Sequence, residues 1–355
     1  MADFTIGDKL KITLFGQSHG PAIGCVIDGF PAGKRIDWDA VSVFMARRAP
    51  GQNAWSTPRK EADAPEILSG LGADGLTCGA PLAAVIRNTN QHSGDYPDLL
   101  NVPRPGHADY TAGIKYGPAW DYRGGGQFSG RLTAPLCFAG ALCLQWLQEK
   151  NIRVAAHIAR IGKVCDEVPD TAHPSFPLYE AGAFPVIDPE KGRAMQDEIE
   201  AAKAAGDSVD GAVRCVVAGF PAGVGGPCFG GLEGKMAQAL FGIPAVKGVQ
   251  FGDTQPHGSE NNDAFRIENG AVSTLTNHCG GILGGISDGM PLHFTVSFKP
   301  PPSIAKPQQT VDLRAMKETE MNLRGRHDPC VVPRAVPVVE AVAAIILTDL
   351  LLQGA

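Results

Sequence analysis

Paired cysteines, an excess of basic charge, an acidic metal-binding cluster and an uninterrupted apolar run of membrane length are all missing from this sequence of 355 residues. The net charge of -6 leaves no electrostatic footprint for DNA or RNA, whose phosphates are held by clustered Lys and Arg. Nucleic-acid partners are therefore not expected. The nine cysteines, at positions 25, 78, 137, 143, 165, 215, 228, 279 and 330, are odd in number and never as close as C-x-x-C. Neither a disulfide framework nor a zinc knuckle is expected, and a reducing, cytoplasmic setting fits. With no H-E-x-x-H and no acidic magnesium cluster, no metal is implied. The first residues carry acids and no long apolar run, unlike a secretory signal. The most apolar stretch, residues 335–352, is broken by Glu340 and Asp349, so it reads as a buried terminal helix and no membrane span is expected.

What is abundant is glycine and proline, 44 and 28 residues, which makes a chain rich in tight turns. Hydrophobic residues at 44% against charged residues at 19% give a folded, globular protein. No low-complexity linker divides it, so a single domain over residues 1–355 is expected. Short apolar runs at 12–15, 25–27, 81–86, 213–217 and 292–298, bounded by Gly and Pro, read as strands. Asp188 as a cap, Pro189 in the first turn and Gly206 beyond the end frame one helix, and residues 133–150 carry the spacing of another. The class is mixed α/β (α+β). One internal echo, Val26-Ile27-Asp28-Gly29-Phe30-Pro31-Ala32-Gly33 against Val216-Val217-Ala218-Gly219-Phe220-Pro221-Ala222-Gly223, reads as strand then Pro-Gly turn in both copies and points to two similar halves.

Two apparent nucleotide motifs fail on context. Gly70-Leu71-Gly72-Ala73-Asp74-Gly75 matches G-x-G-x-x-G, but Gly79 and Pro81 follow where a helix should face the pyrophosphate, so a plain turn is expected. Residues 230–235 resemble a phosphate loop with the wrong glycine spacing. Four polar clusters in glycine-rich settings are more informative. They are Gly16-Gln17-Ser18-His19-Gly20-Pro21, then Arg104-Pro105-Gly106-His107-Ala108-Asp109-Tyr110, then residues 121–131 with Gly124-Gly125-Gly126, and finally Arg324-Gly325-Arg326-His327-Asp328-Pro329. The glycine run, placed near a helix start, is a plausible anion site through free amides. Arginines grip carboxylate and phosphate by paired hydrogen bonds, and histidines move protons near neutral pH. From the residues alone, this is an enzyme or binder for a small polyanion.

These segments, with His278-Cys279-Gly280-Gly281 and Arg334-Ala335-Val336-Pro337, resemble chorismate synthases along nearly the whole chain. The resemblance implies a β-α-β sandwich, here with pseudo-symmetric halves. It implies conversion of 5-enolpyruvylshikimate 3-phosphate (EPSP) to chorismate and phosphate by a trans-1,4 elimination that requires reduced FMN (FMNH2) without net redox change. Arg48, Arg104, Arg131 and Arg326 would hold the anionic substrate. His107 would give a proton or hydrogen bond to the leaving phosphate, His19 would protonate or stabilise the reduced flavin, and Asp328 would assist removal of the C6 proton. Ser18 and Ser129 would orient the network. Gln127, Phe128, Ser129, Pro244, Ala245, Gly284, Lys299, Pro300, Pro301, Pro302, Ser303 and Arg326 would bind FMN. The resemblance further implies a homotetramer and the family's association with NADP, and the chain shows no reductase domain, so an external flavin reductase is expected. The sequence departs from the family at Gln17, usually Glu, at Ala49 and Ala54, usually Arg, and at Gln127-Phe128, usually Arg-Ser. Those departures leave open a diverged paralogue that binds flavin or an anion without this turnover, and a non-catalytic scaffold that binds no flavin.

Overall fold

The computed structural model describes residues 4–51, 55, 63–89, 99–168, 170–172, 174, 179, 182–268, 270–323 and 328–354. Strands β1 (Thr5–Ile6), β2 (Lys11–Gly16) and β3 (Ala22–Asp28) lead to helix α1 (Trp38–Arg48), strands β4 (Pro65–Ser69) and β5 (Leu82–Arg87), and helices α2 (Asp109–Tyr116) and α3 (Thr133–Gln148). Next come β6 (Arg153–Ile161), β7 (Val164–Cys165), α4 (Pro189–Ala204), β8 (Gly211–Ala218), α5 (Leu232–Phe241), β9 (Val246–Phe251) and α6 (Gly258–Asn261). The chain closes with hairpin β10 (Phe265–Glu268) and β11 (Ala271–Thr274), hairpin β12 (Ile282–Leu283) and β13 (Ile286–Ser287), strand β14 (Leu292–Phe298), hairpin β15 (Gln308–Asp312) and β16 (Lys317–Met321), and α7 (Val332–Leu352).

Two five-stranded antiparallel sheets result, ordered β1-β2-β3-β5-β4 and β7-β6-β8-β14-β9. Each presents one apolar face inward because alternate residues along a strand share a side. In the first sheet the register sets Ile12, Ile27 and Leu82 in a row, and in the second it aligns Ile158, Val213 and Val296. Helix α3 covers the first inner face, α7 covers the second, and the two helices pack on each other. Their backbones approach closely because Gly140 lacks a Cβ, which would lie 2.2 Å from that of Ala341. The layers are thus sheet, helices, sheet, as expected, with one continuous hydrophobic core through both halves.

Helix α7 is long and apolar enough to cross a membrane, yet 89% of its most apolar window is buried, so its apolar surface is spent on the middle layer. Its two carboxylates are satisfied inside the fold. Glu340 receives a paired hydrogen bond from Arg47, at 2.7 and 3.0 Å, and a third from the amide of Ala156 at 2.8 Å. Asp349 accepts from the amides of Asp8, Lys9 and Leu10, tying the start of the chain to its last helix.

The internal echo is structural. Gly29 and Gly219 both have positive φ, +83 and +77°, and in each the missing Cβ makes room for a backbone carbonyl, of Lys9 and of Asn151. Beyond the turn, Gly33 donates to Thr77 O at 2.7 Å and Gly223 to Ser287 O at 2.8 Å. The hydroxyl of each partner accepts from the next amide, Lys34 or Val224, at 2.9 Å, and donates to the turn carbonyl of Pro31 or Pro221. Each half therefore repeats strand, pinned turn and helix, with α1 after β3 and α5 after β8. The G-x-G-x-x-G segment is a turn closed by Gly75 N on Gly72 O, and all nine cysteines are free thiols.

Candidate active site

Gly124, Gly125 and Gly126 all have positive φ, at 56, 83 and 52°, within a tight helical turn that bends back on itself. The run does not sit at the start of α3. Residues 127–132 intervene, including a second short turn capped by Ser129, whose hydroxyl accepts from Arg131 N at 3.3 Å. The expectation of a helix-start anion cradle is corrected: the bare backbone instead lets two imidazoles come close, one at Gly124 and one at Gly125. A Cβ on Gly124 would lie 2.1 Å from the His19 ring and 2.7 Å from Ser18 Oγ, and one on Gly125 would lie 3.1 Å from Cε1 and Nε2 of His107. Ser18 N donates to Gly126 O at 3.2 Å, which fixes the first loop to the run.

Ser18 and His19 are buried and joined through Oγ and Nδ1 at 3.0 Å. The carboxylate of Asp121 is held below the usual range by its bonds to Arg123, with nearby His19 adding to the effect. Asn88 donates to the carbonyls of Gln17 and Gly20 at 3.1 and 2.9 Å and accepts from Arg131 Nε at 3.1 Å.

Next to Gly125, Arg104 donates from N, Nε and Nη2 to the buried carboxylate of Asp109, and His107 Nδ1 meets the same carboxylate at 2.6 Å. Burial alone would raise that carboxyl, but Arg104 and His107 hold it far below its ordinary value. Burial lowers the His107 pKa, with Arg104 and Lys299 acting in the same direction and Asp109 against them. Arg104 Nη1 also donates to Ser303 Oγ at 3.1 Å, while Lys299 Nζ donates to Gly106 O. Burial, then Lys247, push the Lys299 ammonium pKa down. Pro302 packs on Gly106, and Pro301 O accepts from Ser208 Oγ. Lys299 N donates to the carbonyl of Ala245, a non-glycine residue at φ 72° that follows Pro244. Residues expected on substrate and residues expected on flavin thus meet at Arg104 and Ser303.

Arg48 and Arg131 converge on a residue the sequence reading missed. Asp63, buried and at φ 49°, accepts from Arg48 Nη1 at 2.6 Å and from Arg131 Nη1. Burial alone would raise its pKa; the two guanidiniums bring it below the usual range. Arg48 spends its other groups on Thr133 Oγ1 and Gly130 O, so it braces the ground under Arg131. Asp328 pairs with Arg334 at 2.5 Å, and Arg334 Nε donates to Arg48 O at 3.0 Å. Asp328 is thereby linked to the arginine pair.

Phe128 forms an aromatic group with Tyr116 and Trp120, at 6.3 Å between centroids, beside Gln127. Gly284 tips the β12–β13 hairpin in open space, and the neighbouring Gly285 packs on Gly226 and Gly231. Arg326, His327 and Ala54 lie outside the described residues, while Ala49 is buried at the end of α1. Among the described residues no group of three His, Cys, Asp or Glu could hold a metal ion.

The family model described as chorismate synthase matches residues 10–352. A chorismate synthase of Thermococcus gammatolerans is 46% identical over 353 residues, covering 98% of this chain and 97% of the relative. One from Dehalococcoides mccartyi is 44% identical over 354 residues, covering 99% and 97%. A crystal structure of chorismate synthase superposes with a TM-score of 0.74 at 26% identity, over 98% of this chain and 93% of that one.

Proposed function

The chain belongs to the chorismate synthase family, and from that premise we infer that it is a carbon–oxygen lyase converting EPSP to chorismate and inorganic phosphate. The observation that carries the reading at residue level is the glycine run with His19 against Gly124 and His107 against Gly125, and with Arg104 and Lys299 beside His107. An acidic protein holds a substrate with two carboxylates and a phosphate only through such a local concentration of cations and donors.

The residues present fit FMN. Lys299 and the Ser303 hydroxyl offer a cation and a donor for its phosphate. The Gly124–Gly126 backbone packs directly against both imidazoles, and Tyr116, Trp120 and Phe128 supply an aromatic group next to Gln127. When bound in reduced form, FMN supplies electron density that eases departure of phosphate, with no net redox change. The protein's own residues orient and screen. Arg104, Arg131 and the Arg326 segment hold the substrate's anionic groups, with Arg48 behind them. His107 serves the leaving phosphate. His19, set by Ser18, serves the reduced flavin. Asp328, set by Arg334, serves the C6 proton, and Ser129 keeps the turn before Arg131. Gln127, Phe128, Pro244, Ala245, Gly284 and residues 299–303 border the flavin.

The same reading makes residues 1–355 one domain and the chain a cytoplasmic homotetramer supplied by an external flavin reductase. The test is anaerobic: full-length protein, EPSP and chemically reduced FMN, with chorismate and phosphate followed together and oxidised FMN as control. Equal release of both products with reduced flavin only is expected. Binding without products would leave a paralogue that lost turnover through Ala49, Ala54, Gln127 or Phe128.

A further inference from the structure

Asn88 is the first residue beyond strand β5, and its side chain touches both the Ser18–His19 turn and Arg131. The β3–β5 ladder sets its place: Ala22 faces Arg87, and one step on Asn88 N donates to Pro21 O at 3.2 Å. The chain before Pro21 is a tight turn closed by Gly20 N on Gln17 O at 3.0 Å, with Ser18 and His19 at its two central positions. Asn88 Nδ2 donates to the carbonyls at both ends of that turn, Gln17 O at 3.1 Å and Gly20 O at 2.9 Å. Its Oδ1 accepts from Arg131 Nε at 3.1 Å. The carboxamide fits in one orientation only, because a reversed group would set its oxygen against two carbonyls and its NH2 against an N–H.

Arg131 is held at a second nitrogen, Nη1, by Asp63, so the plane of its guanidinium is fixed and with it the direction of Nη2. The His19 ring is held at Nδ1 by Ser18 Oγ at 3.0 Å, and Ser18 N by Gly126 O at 3.2 Å. Asn88 joins these two supports. Asp has its shape but offers no N–H to the turn, and Gln carries its amide one methylene farther. We propose that Asn88 is a positioning residue that holds the Ser18–His19 turn and the Arg131 guanidinium at one spacing, so that a single carboxamide places the imidazole serving the flavin and the cation holding the substrate. This rests on the lyase reading for what those two residues do. Asn88 acts through them and takes no part in the bond changes.

The experiment is kinetics on the full-length protein with EPSP and chemically reduced FMN, together with calorimetry of EPSP in the presence of oxidised FMN, all below each variant's urea midpoint. Asn88→Ala is expected to lower kcat/KM by about 10–100-fold, since small displacements of positioned groups are costly to rate. Both constants should move, KM upward because Arg131 loses its Nε acceptor and kcat downward because the His19 turn loses its clamp. Asn88→Asp keeps an acceptor for Arg131 but turns an oxygen towards Gln17 O and Gly20 O, so kcat should fall in this variant too. Arg131→Lys removes the Nε–H. In that background Asn88→Ala should cost EPSP affinity less than about threefold, where in the wild type it costs about tenfold or more. An Asn88 that merely tied a loop to β5 would lower the urea midpoint and leave kcat, KM and this coupling untouched. Kinetic constants within about twofold of wild type in both Asn88 variants overturn the proposal. So does an equal affinity loss in the wild-type and Arg131→Lys backgrounds. If EPSP affinity shows the coupling but the wild-type protein forms no chorismate, the lyase reading fails and this one stands; if EPSP does not bind, both fall.

Discussion

A Cβ built on Gly124 would fall 2.1 Å from Cε1 and 2.3 Å from Nδ1 of His19. The imidazole thus occupies the space in which any side chain on residue 124 would begin, and the backbone there has a φ of 56° that favours glycine.

Gly124→Ala is expected to displace His19 and to carry about 1–3 kcal/mol of backbone strain. Turnover should fall by far more than the thermal midpoint. Gly130→Ala is the control, because nothing lies within 4 Å of its Cβ position. Equal activity in the two variants would remove the glycine run from the mechanism.

Asp63→Ala leaves two buried guanidiniums, of Arg48 and Arg131, facing each other without their carboxylate. Breaking such a buried arrangement costs about 3–5 kcal/mol. Urea unfolding with the slope unchanged reads it directly, and a loss below about 1 kcal/mol would show that the hub is not structural.

Thr77→Ala and Ser287→Ala remove the same two hydroxyl bonds of the clasp from the two halves and keep the backbone one, so each is expected to lose about 1–3 kcal/mol by leaving the amide of Lys34 or Val224 unpaired. The sites lie in separate sheets' turns, so the double variant should lose the sum. A large departure from additivity in the unfolding free energies would contradict the independence of the two turns.

His157 lies on β6 opposite Arg214, 4.0 Å from Asp166. Burial pushes its pKa from 6.5 down to about 4, against the pull of Asp166. The folded state stays neutral while the unfolded chain takes up a proton, so stability falls as pH drops from 6.5 towards about 4. The loss approaches about 3 kcal/mol at the lower end. His157→Gln should flatten this limb of the midpoint-against-pH curve, and an unchanged slope would assign the acid sensitivity elsewhere.

The layers of this fold were legible in the sequence wherever apolar runs had clean punctuation. Leu292–Phe298 is a strand over the expected residues, and Asp188, Pro189 and Gly206 frame α4 as anticipated. The repeated turn was readable because both copies need glycine at the same two positions. His19 and His107 were marked by their glycine neighbours. What they share was not, because the glycine run's approach to both rings is a matter of tertiary distance. Asp109 stood two residues beyond a marked histidine, and its inward aim follows from where α2 starts. Asp63 carried no signal at all: an acid in a stretch of acids becomes special only when the fold brings Arg48 and Arg131 to it from elsewhere in the chain.

Helix α7 follows every strand of both sheets in the chain, yet it is half of the layer between them, and its Asp349 holds the amides of residues 8–10. During synthesis both sheets emerge before the helix that covers the inner face of the second. Until α7 has emerged, the nascent chain can build hairpins and α3 but exposes an apolar sheet face with nothing to close it. Chaperone dependence should therefore concentrate in the interval between the emergence of β14 and that of α7.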